Sequence, residues 1–247
     1  MARLPRIPDL LTTANLACGM GSILLASHGQ LTWACWLVFA GALFDVFDGL
    51  AARALGGGSP LGAQLDSLAD MVTFGVAPGM VVHFMLSRSF DLYWSPGTLN
   101  PDLLAGGSAL LIPIASAWRL AKFNIDTRQS SSFLGLPTPA NGLFWAGLCL
   151  GLLGLTNDTS VTWHPAMLLW QPWLMITCII VLSALMLSEL PLPSLKFKHF
   201  RWQGNQVIYL LGGIGALLVV LYGIMAVPLI MVLYILSPLW GRVFPRV

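Results

Sequence analysis

Apolar runs near or above the roughly 20 residues that an α-helix needs to cross a bilayer recur along the whole chain. The segments between them are rich in Gly, Pro, Ser and Asn, the residues that favour turns. Only 9% of the 247 residues are charged, whereas a soluble domain carries about 25%. This pattern predicts an all-α fold, a polytopic bundle of helices that is integral to a membrane.

The apolar runs predict about eight transmembrane helices in a single membrane domain over residues 1–247. Their expected bounds are Leu10–Ser27, Leu31–Leu55, Leu61–Leu86, Leu103–Phe123, Pro139–Leu155, Ala166–Leu187, Gln206–Gly223 and Met225–Phe244. The small residues of Gly212–Gly215 permit close helix approach, either inside the chain or across a homodimer. The net charge of +2 gives no case for nucleic-acid binding.

The basic residues predict an orientation for this bundle. With eight spans, eleven of the twelve Lys and Arg residues fall on one side and only Arg88 falls on the other. Because Lys and Arg are enriched in cytoplasmic loops, we expect both termini in the cytoplasm and the chain in the cell membrane.

Four of the ten acidic residues lie within 26 positions, at Asp45, Asp48, Asp66 and Asp70. The spacings of three and four place each pair on one helix face, and the short Gly-rich turn makes the two helices antiparallel neighbours. An ionised carboxylate at the centre of a membrane helix costs about 2.5–3.5 kcal/mol to insert, so four of them need compensation. Carboxylates without nearby His or Cys suit a hard cation such as Mg²⁺ or Mn²⁺.

The neighbours of these aspartates indicate a ligand. Gly49 and Gly62 leave room for a bulky group, and Arg53 can hold a phosphate with its bidentate fork. A set of buried ion pairs would leave four carboxylates facing one cation. A proton or sodium pathway, as in an ion-coupled transporter, is the better alternative, but it does not explain the glycines or the arginine.

The spacing of the whole cluster resembles the full signature of the CDP-alcohol phosphotransferase family. Its fixed positions run Asp45-x2-Asp48-Gly49-x2-Ala52-Arg53-x8-Gly62-x3-Asp66-x3-Asp70. The segments Gly62–Gly79, Arg119–Asn124 and Gly135–Asn141 also resemble the phosphatidylserine synthase branch of that family. The resemblance covers about residues 10–145, and residues 146–247 add only an apolar helical pattern.

The resemblance implies a reaction in which CDP-diacylglycerol and L-serine give phosphatidylserine and CMP, at a site facing the cytoplasm among membrane lipids. Glycerol phosphate or inositol as the acceptor is the alternative within the family. The implied cofactors are Mg²⁺ or Mn²⁺ ions, two of them, held by Asp45, Asp48, Asp66 and Asp70, of which Asp70 is also the base. The implied nucleotide and phosphate residues are Gly49, Ala52, Arg53 and Gly62.

The acceptor site is expected beside the cytoplasmic end of the fourth span. Serine brings a carboxylate, and Arg119 or Lys122 can pair with it. Simple snorkelling of these two side chains to the interface is the alternative. Asn124 and Asn141 can bond the serine or cap the loop.

Overall fold

The computed structural model describes residues 6–57, 59–93, 101–125, 133–157, 165–192 and 206–240. The helices in these ranges are α1 Ile7–Ser27, α2 Leu31–Ala54, α3 Pro60–Asp70, α4 Ala77–Tyr93, α5 Pro101–Ala109, α6 Leu111–Ile125, α7 Thr138–Asn157, α8 Pro172–Leu187, α9 Gln206–Tyr222 and α10 Ala226–Trp240. A π-helical turn, Met71–Val76, joins α3 to α4, and 3₁₀ turns precede α8 and α10 at Pro165–Trp170 and Gly223–Met225. Strands β1 (Phe133–Leu134) and β2 (Pro191–Leu192) form a short antiparallel pair.

In the part of the chain that the structure describes, six helical segments are long and apolar enough to cross a membrane. They are Ile7–Ser27, Leu31–Ala54, Pro60–Phe90, Leu103–Ile125, Thr138–Leu155 and Ile208–Pro238. The apolar helix α8 is shorter, with 16 residues. Large side chains such as Leu43, Phe47 and Leu50 point outward from α2, as expected where a helix faces lipid rather than water. The prediction of an all-α, multi-pass membrane protein is confirmed.

Two of the expected helices differ in detail because of proline. The fourth span is interrupted at Leu110 between α5 and α6, since Pro113 lacks the N–H that would bond the carbonyl of Ala109. The expected start of the sixth helix at Ala166 is wrong: a 3₁₀ turn lies there, and α8 begins at Pro172. Proline is favoured at this first helical position, where its missing donor has no partner to lose.

The last apolar stretch is a helical hairpin. A Cβ on Gly215 of α9 would lie 3.5 Å from Cδ1 of Ile230 in α10, whereas one continuous helix would separate these residues by about 22 Å. The reversal occurs at Gly223, whose φ of +55° favours glycine. Gly215 therefore serves internal packing, while a Cβ on Gly212 or Gly213 would have no described atom within 4 Å.

Helix α7 is the centre of the bundle and contacts α2, α4, α6, α10 and the π turn. Its fully buried side chains include Trp145, Leu148 and Leu152. Two glycines bring its backbone close to both halves of the chain. A Cβ on Gly142 would lie 2.9 Å from Cα of Phe74 in the π turn, and one on Gly147 would lie 2.8 Å from Cβ of Val227 in α10. The C-terminal hairpin and the aspartate-bearing helices thus share one core.

Candidate active site

The structure brings together the two aspartate pairs on α2 and α3. Asp45, Asp48 and Asp66 each place one carboxylate oxygen within 4.8 Å of the others. Asp70 lies at the end of α3, and its carboxyl group lies close enough to that of Asp45 for the two to interact. Asp48 and Asp70 are buried, and the other two carboxylates are half-buried. The cluster therefore consists of a trio with a fourth carboxylate beside it.

The chemistry of the trio fits a divalent metal ion. Its oxygens are close enough to share one cation, and the group contains only carboxylates, with no imidazole or thiolate. Oxygen donors of this kind suit Mg²⁺ and Mn²⁺ rather than softer metals. Asp45, Asp48 and Asp66 can thus hold a metal ion.

A cavity of about 220 Å³ opens beside the trio. Its lining residues are Arg6, Pro8, Asp9, Thr12, Asp48, Gly49, Ala52, Gly57, Ser59, Gly62, Ala63 and Asp66. The signature residues Gly49, Ala52 and Gly62 are therefore on the wall that also carries two of the aspartates. Arg53 is exposed and, among the described residues, does not belong to this wall.

Helix α1 supplies a part of the site that the sequence analysis missed. Thr12 is buried and donates a hydrogen bond from Oγ1 to Asp48 Oδ2 at 2.7 Å. Asn15, one turn later and fully buried, donates from Nδ2 to Asp70 Oδ1 at 3.4 Å. Arg6 and Asp9 reach the cavity from the start of the same helix. The available signal was the presence of Thr12 and Asn15, two polar residues three positions apart, on a mostly apolar helix.

Arg119 lies on α6, which contacts the π turn that follows Asp70. Its side chain is 7% exposed, and Nη1 donates to Thr138 Oγ1 of α7 at 3.2 Å. The guanidinium lies near the carboxyl group of Asp70 and near Tyr234 of α10. Its Nε is buried without a hydrogen-bond partner among the described residues. Since a buried donor without a partner is costly, this guanidinium has capacity for a further acceptor.

The other expected acceptor residues lie in different surroundings. Lys122 is exposed, and its Nζ lies 3.5 Å from the carbonyl of Leu187. Asn124 is exposed and its amide exchanges hydrogen bonds of 3.0 and 3.2 Å with Ser67 of α3. Asn141 of α7 is fully buried, and neither of its amide atoms has a partner within the described ranges. Arg119 and Asn141 are therefore the two with unused hydrogen-bonding capacity in the interior.

Comparison with known proteins decides the family. The model of the CDP-alcohol phosphatidyltransferase family matches residues 6–181 of this chain. The chain belongs to the CDP-alcohol phosphatidyltransferase family. That match begins at the cavity residue Arg6 and extends into α8, so it includes every residue of the aspartate cluster and of the cavity wall.

Sequence similarity to members of the CDP-alcohol phosphatidyltransferase family extends over more than half of the chain. The CDP-diacylglycerol–serine O-phosphatidyltransferase of Bacillus subtilis is 37% identical over 197 residues, covering 79% of this chain and 91% of the relative. The protein of that name from Helicobacter pylori is 35% identical over 201 residues, covering 79% and 74%. An archaetidylserine synthase from Methanothermobacter thermautotrophicus is 36% identical over 135 residues, covering 54% and 53%.

Proposed function

We propose that this protein transfers the phosphatidyl group of CDP-diacylglycerol to L-serine, giving phosphatidylserine and CMP. The observation that carries the proposal is the carboxylate trio on the wall of a cavity lined by Gly49, Ala52 and Gly62. A carboxylate cluster that can hold a metal ion beside a cavity suits a substrate in which a nucleotide is linked to the rest of the molecule through phosphate groups. The names of the relatives from Bacillus subtilis and Helicobacter pylori support serine as the acceptor.

The reaction assigns a task to each part of the site. The serine hydroxyl oxygen forms a bond to the phosphatidyl phosphorus, the bond from that phosphorus to the CMP oxygen breaks, and CMP leaves with the electron pair. Asp70 accepts the hydroxyl proton, since a neutral hydroxyl is a weak nucleophile and needs a base within reach. Gly49, Ala52 and Gly62 make room for the nucleotide, and Arg53 meets a phosphate at the exposed mouth.

The cofactor is Mg²⁺ or Mn²⁺, as two ions held by Asp45, Asp48 and Asp66 with Asp70 completing the site. Bound there, the cations supply Lewis-acid stabilisation of the charge on the phosphoryl oxygens and the leaving group. The support is the all-carboxylate donor set of the trio, with the carboxyl group of Asp70 beside that of Asp45.

The acceptor enters between Asp70 and Arg119. A guanidinium binds a carboxylate with two parallel hydrogen bonds, and Arg119 has an unpartnered Nε in the interior of the described structure. Its interaction with Asp70 supports a placement in which the serine carboxylate and hydroxyl meet these two residues. Lys122 and Asn124 would act from the outer edge of this site.

In the membrane, the chain spans the bilayer eight times with both termini and the active site in the cytoplasm. Support comes from the α9–α10 hairpin, which turns the last apolar stretch into two segments, and from the asymmetry of Lys and Arg. Fusions after Val247 test this: a fluorescent protein that folds only in the cytoplasm should be bright, and periplasmic alkaline phosphatase should be inactive. The opposite pair of results contradicts the orientation.

Residues 10–145 carry the substrate site in this proposal, Arg6, Pro8 and Asp9 add to the wall of its cavity, and the later helices support it. A homodimer that packs through Gly212 and Gly213 of α9 stays a prediction. A measurement of the molecular mass of the detergent-solubilised protein checks it.

The test of the function is CMP release by the purified protein from CDP-diacylglycerol. Release should require both L-serine and a divalent cation. EDTA should abolish it, and Mg²⁺ or Mn²⁺ should restore it. Glycerol phosphate and inositol serve as alternative acceptors. Release with one of these but not with serine contradicts serine as the acceptor. No release with any of them contradicts the proposed enzymatic activity and favours the ion-coupled transporter.

A further inference from the structure

We propose that Asn15 of α1 is a positioning residue for Asp70: its amide holds one carboxylate oxygen of the base, and an anchor at Thr73 holds Asn15. This inference rests on the proposed function, because it concerns the turnover of the same site. It extends the catalytic machinery to a helix that contains none of the signature residues.

The first observation is the hydrogen bond itself. Nδ2 of Asn15 lies 3.4 Å from Asp70 Oδ1, in a region where Asn15 is 0% exposed and Asp70 is 9% exposed. An amide N–H₂ donates to a carboxylate, so this contact favours one orientation of the Asp70 side chain. Because water has little access there, the protein has to supply the partner that defines the orientation.

The second observation is the anchor behind Asn15. Thr73 lies in the π turn that begins directly after Asp70, and its Oγ1 donates to the carbonyl of Asn15 at 3.0 Å. The two helices that carry Asn15 and Asp70 are therefore tied at a second point, one turn from the first. Short π-helical segments inside α-helices often mark functional sites, and this one turns a hydroxyl toward α1.

Two glycines give Thr73 its place between α1 and α2. A Cβ on Gly19 would lie 2.5 Å from Thr73 Oγ1, and a Cβ on Gly41 would lie 2.5 Å from Thr73 Cγ2. Neither position can carry a side chain without displacing Thr73. The anchor is thus built by α1, α2 and the π turn together, and it leaves little freedom for Asn15.

The contact is selective within the aspartate cluster. Asn15 bonds Asp70, whereas the carboxylate trio of Asp45, Asp48 and Asp66 can hold one cation without a contribution from Asp70. Loss of the Asn15 amide should therefore lower the turnover number and leave nearly unchanged the affinity of the trio for that cation and the affinity of the protein for CDP-diacylglycerol. A general loss of packing would instead affect all three quantities.

The test compares Asn15→Leu, which keeps the number and branching of the side-chain heavy atoms and removes the donor, with Ser22→Ala. Ser22 is a matched control on the same helix: it is 0% exposed and bonds the carbonyl of Ala34 at 2.8 Å, away from the aspartates. Four quantities are measured for each purified protein: kcat, the KM for CDP-diacylglycerol, the thermal midpoint and the Mn²⁺ affinity. The Mn²⁺ affinity comes from the electron paramagnetic resonance signal of the free ion.

We expect kcat of Asn15→Leu to fall about 10–100-fold, the usual effect of losing a hydrogen-bond partner that orients a side chain of the active site. The KM and the Mn²⁺ affinity should stay near those of the unmodified protein, and Ser22→Ala should keep its kcat. An unchanged kcat in folded Asn15→Leu overturns the inference, as does an equal loss in Ser22→Ala. Failure of the unmodified protein to release CMP contradicts the proposed function instead.

If Asn15→Leu does not fold, Thr73→Val tests the inference instead. This substitution preserves the shape of the side chain and removes only the hydroxyl that anchors Asn15. A lower kcat at unchanged Mn²⁺ affinity supports the positioning role. A kcat equal to that of the unmodified protein overturns it.

Discussion

Gly62 of α3 packs directly against the carboxylate of Asp9 in α1: a Cβ at position 62 would lie 2.8 Å from Asp9 Oδ1 and 3.2 Å from Ser59 Oγ. All three residues line the cavity. The glycine thus brings two helices together in addition to leaving room for a ligand.

Gly62→Ala should therefore weaken nucleotide binding. The added methyl group displaces Asp9 and narrows the cavity, so CMP affinity should fall about tenfold, a loss of about 1.4 kcal/mol in binding free energy. Calorimetric titration with CMP measures the change. Gly107→Ala is the control, since no described atom lies within 4 Å of its Cβ position. Unchanged CMP binding by folded Gly62→Ala would mean that the nucleotide lies elsewhere.

Asp70→Asn should remove the chemical step while sparing nucleotide binding. Asparagine has nearly the same shape but cannot accept the hydroxyl proton, and a general base contributes about 10²–10⁴-fold to turnover. CMP release under saturating substrates should drop by that factor, with CDP-diacylglycerol still bound. If binding disappears as well, Asp70 acts chiefly as a metal ligand. Near-normal turnover would exclude it from the mechanism.

Arg119 should determine the KM for serine. Arg119→Lys keeps the charge and loses the planar fork, whereas Arg119→Ala loses both, so each should raise the serine KM, alanine more. The KM for CDP-diacylglycerol should change little. Ethanolamine, which lacks the carboxylate, should be a poor acceptor for the unmodified enzyme.

Lys122→Ala is the matched control for Arg119, because this lysine is exposed at the end of the same helix. A serine KM that responds to Lys122 and not to Arg119 would place the carboxylate at the outer edge of the site. A response to neither would assign it to other residues, with Asn141 the next to test.

The stability of the bundle should depend on glycine at position 142. A Cβ there would lie 2.9 Å from the backbone of Phe74, so Gly142→Ala should lower the thermal midpoint in detergent, at a cost of about 1–3 kcal/mol. Gly154, on the same helix, is exposed and has no described atom within 4 Å of its Cβ position. Gly154→Ala should leave the midpoint unchanged or raise it. Equal midpoints for the two variants would contradict the close packing of α7 on the π turn.

The parts of the site that could be predicted are those set by local spacing. Asp45 and Asp48 share a helix face because they are three residues apart, and the Gly-rich turn makes α2 and α3 neighbours. Their meeting with Asp66 follows from these two facts alone. The family assignment needed only the same short segment.

The parts that escaped prediction depend on helices that are distant in sequence. Thr12 bonds Asp48 across 36 positions, and Asn124 bonds Ser67 across 57. No periodicity in either segment reveals such a partner. The π turn is a similar case, since its Thr73 takes its place from Gly19 and Gly41, which lie on two other helices. Side-chain partners set by tertiary packing therefore require the structure.

The α9–α10 hairpin has a consequence for the order in which the fold assembles. Tyr234 of α10 interacts with Arg119, and α10 packs along α7. These contacts place the buried Arg119 of α6 against helices that leave the ribosome after it. The aspartate helices can enter the bilayer and dock while synthesis continues, whereas the surroundings of Arg119 are complete only after the α9–α10 hairpin has been inserted. A nascent chain arrested before α10 therefore carries the four aspartates of the cluster while Arg119 still lacks its neighbour Tyr234.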